Sequence, residues 1–183
     1  MKTINVEIEG TTPLLMNKYN IENQLEQQAG RRISKQYVPE EEAEKSAYWG
    51  SGKKKELIIP ANVIYASILN ASSFHRINKK SAKTYLAGGM RIEPFEISLG
   101  TDKYEIDLRA VVIQRNRVPK ARARVDKWKA KFQIVYNDKL IGNSAIIKEV
   151  LMEAGERIGI MDFRPQKSGN YGTFKVVKFE EKK

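Results

Sequence analysis

The chain opens on a strict alternation, with Ile4, Val6 and Ile8 on one face and Thr3, Asn5 and Glu7 on the other. That period of two predicts a strand with one buried side over residues 3–8. Gly10 and Pro13 punctuate it, and Leu14, Leu15 and Met16 form a short apolar plug. From Pro60 the period changes: Val63, Ile64, Ile68, Leu69 and Ala71 recur at helical spacing, and Pro60 suits an opening turn. Strand-like runs follow at 90–99, 104–113 and 127–136. Asn143 and Ser144 offer N-cap oxygens to a second helix with Ile146, Ile147, Val150, Leu151 and Ala154 on one face, and Gly155 reads as its stop. Residues 173–179 read as a last strand. The order strand, helix, strands, helix, strand is that of a ferredoxin-like βαββαβ unit, an α+β fold with antiparallel central strands and both helices on one face.

Residues 17–56 break this rhythm. Fifteen of the forty are charged, four more are Gln, and Gly30, Pro39, Gly50 and Gly52 interrupt them. Such a stretch cannot close a core of its own. It reads as an insertion in a single domain spanning 1–183, with short helices near 21–28 and 40–49. Tyr37, Tyr48 and Trp49 point to an ordered contact surface within it.

Composition narrows the classes. No cysteine is present, which removes disulfides, thiol catalysis and thiolate metal sites, and the single His makes a His-based metal site unexpected. No apolar run approaches the roughly 18 residues of a membrane span, so a cytoplasmic protein is expected. Lys and Arg number 33 against 22 Asp and Glu, a formal charge of +11. That field favours polyanions, of which nucleic acid is the commonest.

Placement of the charge sharpens this. Residues 109–131 hold nine basic side chains against Asp126 alone. Lys127, Lys129 and Lys131 alternate with Trp128, Ala130 and Phe132, so one side of that strand is cationic and the other apolar. The alternation fits a lysine ladder for phosphates, and equally an edge strand defended by Lys against aggregation. The approach through Arg115, Arg117, Lys120, Arg122 and Arg124 is too polar for core, and guanidinium groups bond phosphate in pairs and stack on bases. A basic hairpin at about 109–136 is expected to meet a polyanion in one continuous groove.

A second constellation lies at 155–174. Gly155, Gly159, Gly169 and Gly172 flank Phe163, Arg164, Lys167 and Tyr171. Glycine lets a backbone approach a ligand and present its N–H groups. The spacing is neither a phosphate loop nor a dinucleotide fingerprint, and a tight connection from helix to strand with Phe163 tucked into the core accounts for it as well.

These residues carry a resemblance. The leading Val-Glu-Ile-Glu-Gly-Thr-Thr-Pro-Leu-Leu-Met-Asn, the helix opened by Ile-Pro-Ala, and the late Ala-Gly-Glu-Arg-Ile-Gly-Ile-Met-Asp-Phe-Arg-Pro with Gly-Asn-Tyr-Gly-Thr-Phe resemble the RAMP superfamily of CRISPR-associated proteins. The likeness is to its crRNA-binding backbone subunits and small phage-borne relatives. It implies an RRM-like palm, an inserted thumb or finger at 17–56 or 115–124, a Gly-rich loop near the end, and subunits that line up along single-stranded RNA. Antiviral defence and phage biology are both roles the resemblance allows. The chain is shorter than most such subunits.

The expected function is therefore non-catalytic binding of single-stranded RNA or DNA, without sequence preference, by a homo-oligomer or filament along the strand. Arg115, Arg117, Lys120, Arg122, Arg124, Lys127, Lys129 and Lys131 are the expected phosphate contacts. Arg164, Lys167, Gly169 and Gly172 are expected to clamp the backbone, and Tyr171, Trp49 or Tyr48 to stack on bases. Two alternatives remain. Some RAMP relatives are metal-independent ribonucleases, and His75, beside Lys79, Lys83 and Tyr85, is the candidate for proton transfer there. The other is a basic module that docks on an acidic protein. Neither Glu40, Glu41, Glu42 and Glu44 nor Asp102, Glu105 and Asp107 has convincing ligand spacing, so no metal and no cofactor are expected.

Overall fold

The computed structural model of the chain describes residues 1–19, 37–113 and 115–182; the short helix expected near 21–28 lies outside the described residues. Strand β1 (Lys2–Gly10) lies inside a four-stranded sheet with β6 (Met90–Glu93), β10 (Lys129–Tyr136) and β11 (Phe174–Glu181). Its order is β11-β1-β10-β6, and every neighbouring pair is antiparallel. This is the ferredoxin-like order: the first core strand sits between the last and the third, with the second at the edge.

The alternation in β1 sets the register. Ile4, Val6 and Ile8 lie opposite Ile134, Phe132 and Ala130 on the buried side. Helices α2 (Ala61–Ala71) and α5 (Ser144–Glu153) contribute Ile64, Ile68, Ala71, Ile147, Val150 and Leu151 to the same buried cluster. A fully buried Ile, Val or Leu contributes roughly 1.5–3 kcal/mol, so this seam dominates the fold. Asn143 caps α5 as expected, its Oδ1 accepting the Ala145 N–H at 2.9 Å.

Gly155 does not stop that helix. The chain continues through a π-helical turn, Ala154–Ile158, and leaves it at Gly159, where φ is 71° and the N–H donates to the Ala154 carbonyl at 2.8 Å. Gly155 is there for space: a Cβ would fall 2.1 Å from the Phe174 carbonyl oxygen.

Three insertions interrupt the core. The first holds β2 (Leu14–Leu15), α1 (Pro39–Ser46) and β3 (Ile58–Pro60), with an antiparallel bridge from Trp49 to Leu57. The helix expected over 40–49 thus ends at Ser46. Residues 76–92 contain a hairpin of β4 (Arg76–Ile77) and β5 (Lys80–Ser81), helix α3 (Ala82–Gly89) and the start of β6. The run 90–99 divides at Pro94: β6 stays in the core sheet, and β7 (Glu96–Ser98) pairs with β3. The third insertion continues into β8 (Glu105–Ile113) and β9 (Asn116–Val125), a long hairpin joined to β2. A one-turn helix, α4 (Asp138–Ile141), precedes α5.

Candidate nucleic-acid interface

The hairpin pairs Glu105 with Arg124, Asp107 with Arg122, Arg109 with Lys120 and Val112 with Arg117. Cross-strand partners share a face, so Asp107, Arg109, Lys120, Arg122 and Arg124 lie together. Ile106, Leu108 and Val112 point to the other side with Arg117. Helix α1 runs along the β9 edge that β2 leaves open: the Ala121 N–H donates to Glu42 Oε2 at 2.7 Å and the Ala123 N–H to Ser46 Oγ at 2.8 Å. Unpaired edge groups are thereby satisfied.

On the charged face, Asp107 is only 3% exposed and gathers three guanidinium groups. Arg109 Nε donates to its Oδ2 at 2.8 Å, Arg122 Nη2 to its Oδ1 at 3.3 Å, and Arg124 Nη1 lies 3.9 Å from it. Arg122 Nη1 also donates to Asp162 Oδ2 at 2.9 Å, and Arg109 Nη2 donates to the Tyr171 hydroxyl. Asp162 and Tyr171 belong to the Gly-rich loop. The two basic constellations of the sequence are therefore joined into one surface, with an acidic centre beneath.

This arrangement corrects several expectations. Arg122, 7% exposed and held by two carboxylates, is a structural brace rather than a phosphate contact. Arg124 is held by Asp126 at 2.6 Å, which raises its pKa, and Lys120 lies 3.9 Å from Glu42. The cations of 115–131 do not form one groove. Arg117 projects from the opposite side of β9 to Lys120, and Lys129 and Lys131 stand on the open face of the core sheet beside Glu9 (3.2 Å) and Glu7 (3.5 Å). Lys175 adds a second cation to Glu9 at 2.9 Å. Their hydrogen bonds, Lys175 first and Lys129 second, hold the Glu9 carboxyl below its ordinary range. Asn5 and Gln133 complete this polar ladder, and Phe95, 85% exposed, borders the same face with Asn5, Glu7 and Lys131.

Of the expected contacts, Arg115 and Arg117 at the hairpin tip, Lys127 in the turn before β10, and Arg164 and Lys167 on the loop meet no carboxylate among the described residues. Arg115 has φ 66°. The tip extends four residues beyond Arg109, roughly 13 Å at 3.3 Å per residue. Lys127, with Lys103, Arg124, Lys129 and Lys175, borders an open cleft of about 870 Å³ between β9 and the end of β1.

The loop is closed on itself. The Gly169 N–H donates to the Arg164 carbonyl (3.1 Å) and the Gly172 N–H to the Pro13 carbonyl (2.8 Å). A Cβ on Gly169 would sit 1.8 Å from the Phe163 carbonyl oxygen, and one on Gly172 2.0 Å from that of Ile160. Both glycines thus permit close packing of protein on protein, and their N–H groups are not presented to a ligand. Their role differs from the backbone clamp expected. Arg164 Nη1 donates to the Met161 carbonyl at 2.8 Å, its other edge meeting Gln166, and Lys167 is exposed. Phe163, which the alternative of a tight connection tucked into the core, is 41% exposed, and its ring lies 6.1 Å from that of Tyr171. The Arg109 guanidinium covers the Tyr171 ring at 5.5 Å.

Trp49 is engaged internally: its Nε1 donates to the Glu44 carbonyl, Lys55 covers its ring at 4.2 Å, and Tyr104 packs edge-on at 6.1 Å. It is half-buried and placed as a packing residue. Tyr48 is half-buried near Asp162, and burial first, then that carboxylate, raises its pKa. His75 is half-buried, its Nε2 without a partner among the described residues. No group of three potential metal-ligating side chains occurs among them. Sequence reasoning missed the roles of Asp107, Arg109 and Asp162; the available signal was an acid, Asp107, at a strand position between apolar neighbours just before the most basic part of the chain.

No family model matches this chain, and no curated protein matches it. Among solved structures, it is similar to a chain of the Type III-B Cmr-beta complex bound to cognate target RNA, determined by cryo-EM. The TM-score is 0.62 at 16% identity, over 100% of this chain and 61% of that one, so the chain spans about three-fifths of its neighbour's length. What the two share is a fold, an α+β ferredoxin-like arrangement.

Proposed function

We propose that this protein binds single-stranded nucleic acid, RNA ahead of DNA, without reading sequence and without chemistry on the strand. The observation that carries this reading is the junction of Arg122 with Asp162 and of Arg109 with Tyr171, which sets the hairpin beside the Gly-rich loop. Near it stand Arg164 and Lys167, which meet no carboxylate among the described residues, and the exposed ring of Phe163, while Arg115 and, on the other side of β9, Arg117 extend the hairpin beyond it. Cations for phosphates beside an aromatic for bases are the two components of sequence-tolerant single-strand binding. The neighbour's complex with target RNA supports the choice of RNA. The same reading extends to copies lined up along the strand.

The test is an anisotropy titration of labelled single-stranded RNA, single-stranded DNA and duplex across a salt series. Single strands should bind best, with log K falling by about 0.7 per neutralised phosphate for each decade of salt. Replacing Arg115 and Arg117 by Ala should flatten the slope by about 1.4. An unchanged slope moves the site elsewhere, and no binding at low salt removes the reading. The RNA should be recovered intact; fragments with cyclic phosphate ends that disappear in His75→Ala would replace binding by cleavage.

A further inference from the structure

No acidic residue lies between Glu56 and Glu93, while Arg76, Lys79, Lys80, Lys83 and Arg91 do. The fold folds four of these into one small projection. Asn78 and Lys79, with φ 50° and 66°, make the two-residue turn between β4 and β5, the left-handed pair that matches the twist of a hairpin. Arg76, Lys79 and Lys80 sit on that hairpin and Lys83 on the first turn of α3, all exposed and none within ion-pair distance of a carboxylate among the described residues. Other exposed cations lack a carboxylate partner as well, but here four stand within residues 76–83 with no acid among them.

Beside this projection Phe74 is 55% exposed. The Arg157 guanidinium lies over its ring at 4.3 Å, and Glu153 Oε1 accepts from Arg157 Nη1 at 2.6 Å. A phenyl ring with a guanidinium on one side and solvent on the other is a stacking surface for one planar group. The place also continues the interface described above: Gln166 Oε1 accepts from Arg164 Nη2 at 3.1 Å and from Asn70 Nδ2 at 3.4 Å, and Asn70 precedes Phe74 by one helical turn.

We infer that Phe74 and the β4–β5 hairpin form a second contact site for the same single strand, one base stacking on Phe74 and successive phosphates meeting Lys79, Lys80 and Lys83. The inference rests on the reading under Proposed function. An aromatic ring beside a hairpin of unpaired cations fits a strand with alternating bases and phosphates; an acidic peptide would match the cations and leave the ring without a partner.

The experiment uses the full chain with labelled oligouridylates of about 6 and about 30 nucleotides, bracketing the roughly 4–16 nucleotides of single binding modules. On the longer strand, Phe74→Ala should weaken binding by about 5- to 150-fold, the equivalent of one lost stack, and Phe74→Trp should restore it with tryptophan quenching on binding. Lys79→Ala, Lys80→Ala and Lys83→Ala together should lower the salt slope by about 2. The short strand should lose less, since it can occupy the other site. All replaced side chains are exposed, and unchanged circular dichroism and melting confirm the fold. If Arg115 and Arg117 replacements weaken binding while these variants keep affinity and slope, the second site is overturned and the first stands. If the unmodified protein binds neither strand, the functional reading itself falls. Binding of polyglutamate in preference to oligouridylate, lost in the lysine variant, would assign the hairpin to an acidic protein and overturn the inference.

Discussion

Two arginines seven residues apart, Arg115 and Arg122, look equivalent in sequence and have opposite fates. Arg115 protrudes from a turn, and Arg122 is buried between Asp107 and Asp162. Those partners lie 15 and 40 residues away, beyond the reach of any local pattern. Hence the charge of the segment was legible and the separation of braces from contacts was not. Arg122→Ala leaves Asp107 with Arg109 and Arg124 and Asp162 one-third exposed, so what is lost is a buried charged hydrogen-bond partner, at a cost of about 1–3 kcal/mol, and no charge is stranded. The substitution should accordingly lower unfolding stability by about that much in urea titration, while the salt slope of oligonucleotide binding stays at the unmodified value. A variant of normal stability with a flattened slope would return Arg122 to the phosphate contacts.

Among elements, those that bury one face were readable: β1, α2, α5 and the last strand follow from apolar spacing, because burial against the common core imposes that spacing. Elements built for local reasons were not. Helix α3 carries two glycines and four exposed positions in eight, and β9 contains Pro119 among arginines yet forms a strand because β8 pairs with it along its length. The Gly-rich loop was located correctly, but the reason for its glycines is packing. Gly172 has φ 70° and no room for a Cβ, so Gly172→Ala should destabilise by more than about 1 kcal/mol; a neutral result in thermal unfolding would show that the loop adapts. The open-face ladder has its own pH signature. Glu9 titrates below its ordinary range because Lys175, then Lys129, bonds its ionised form. Its contribution to stability is complete above the unfolded carboxyl pKa and is lost as pH falls through the lower folded value. Lys175→Ala should move the Glu9 midpoint upward in an NMR titration, and an unmoved midpoint would remove Lys175 as the main cause.

At the scale of the whole molecule, a net charge of +11 on 20.9 kDa sets copies of the protein against one another, because like fields repel before short-range contacts form. A phosphate strand reverses that balance: each nucleotide adds a negative charge, and neighbouring copies on it are screened from each other. The hairpin also presents Leu108 and Val112, 52% and 68% exposed, on the side turned from the Asp107 network. An apolar stripe gains by being covered, at roughly 25 cal/mol per Å² removed from water, and a second copy held nearby by the same strand can cover it. Assembly should therefore depend on nucleic acid. Light scattering should give the mass of one chain without RNA at low salt, and a mass that grows with strand length when RNA is present. Val112→Asp should reduce the number of copies on a long strand and leave the affinity for a strand that holds one copy unchanged. A single copy on a long strand at saturation would leave the strand-binding site intact and remove assembly along it.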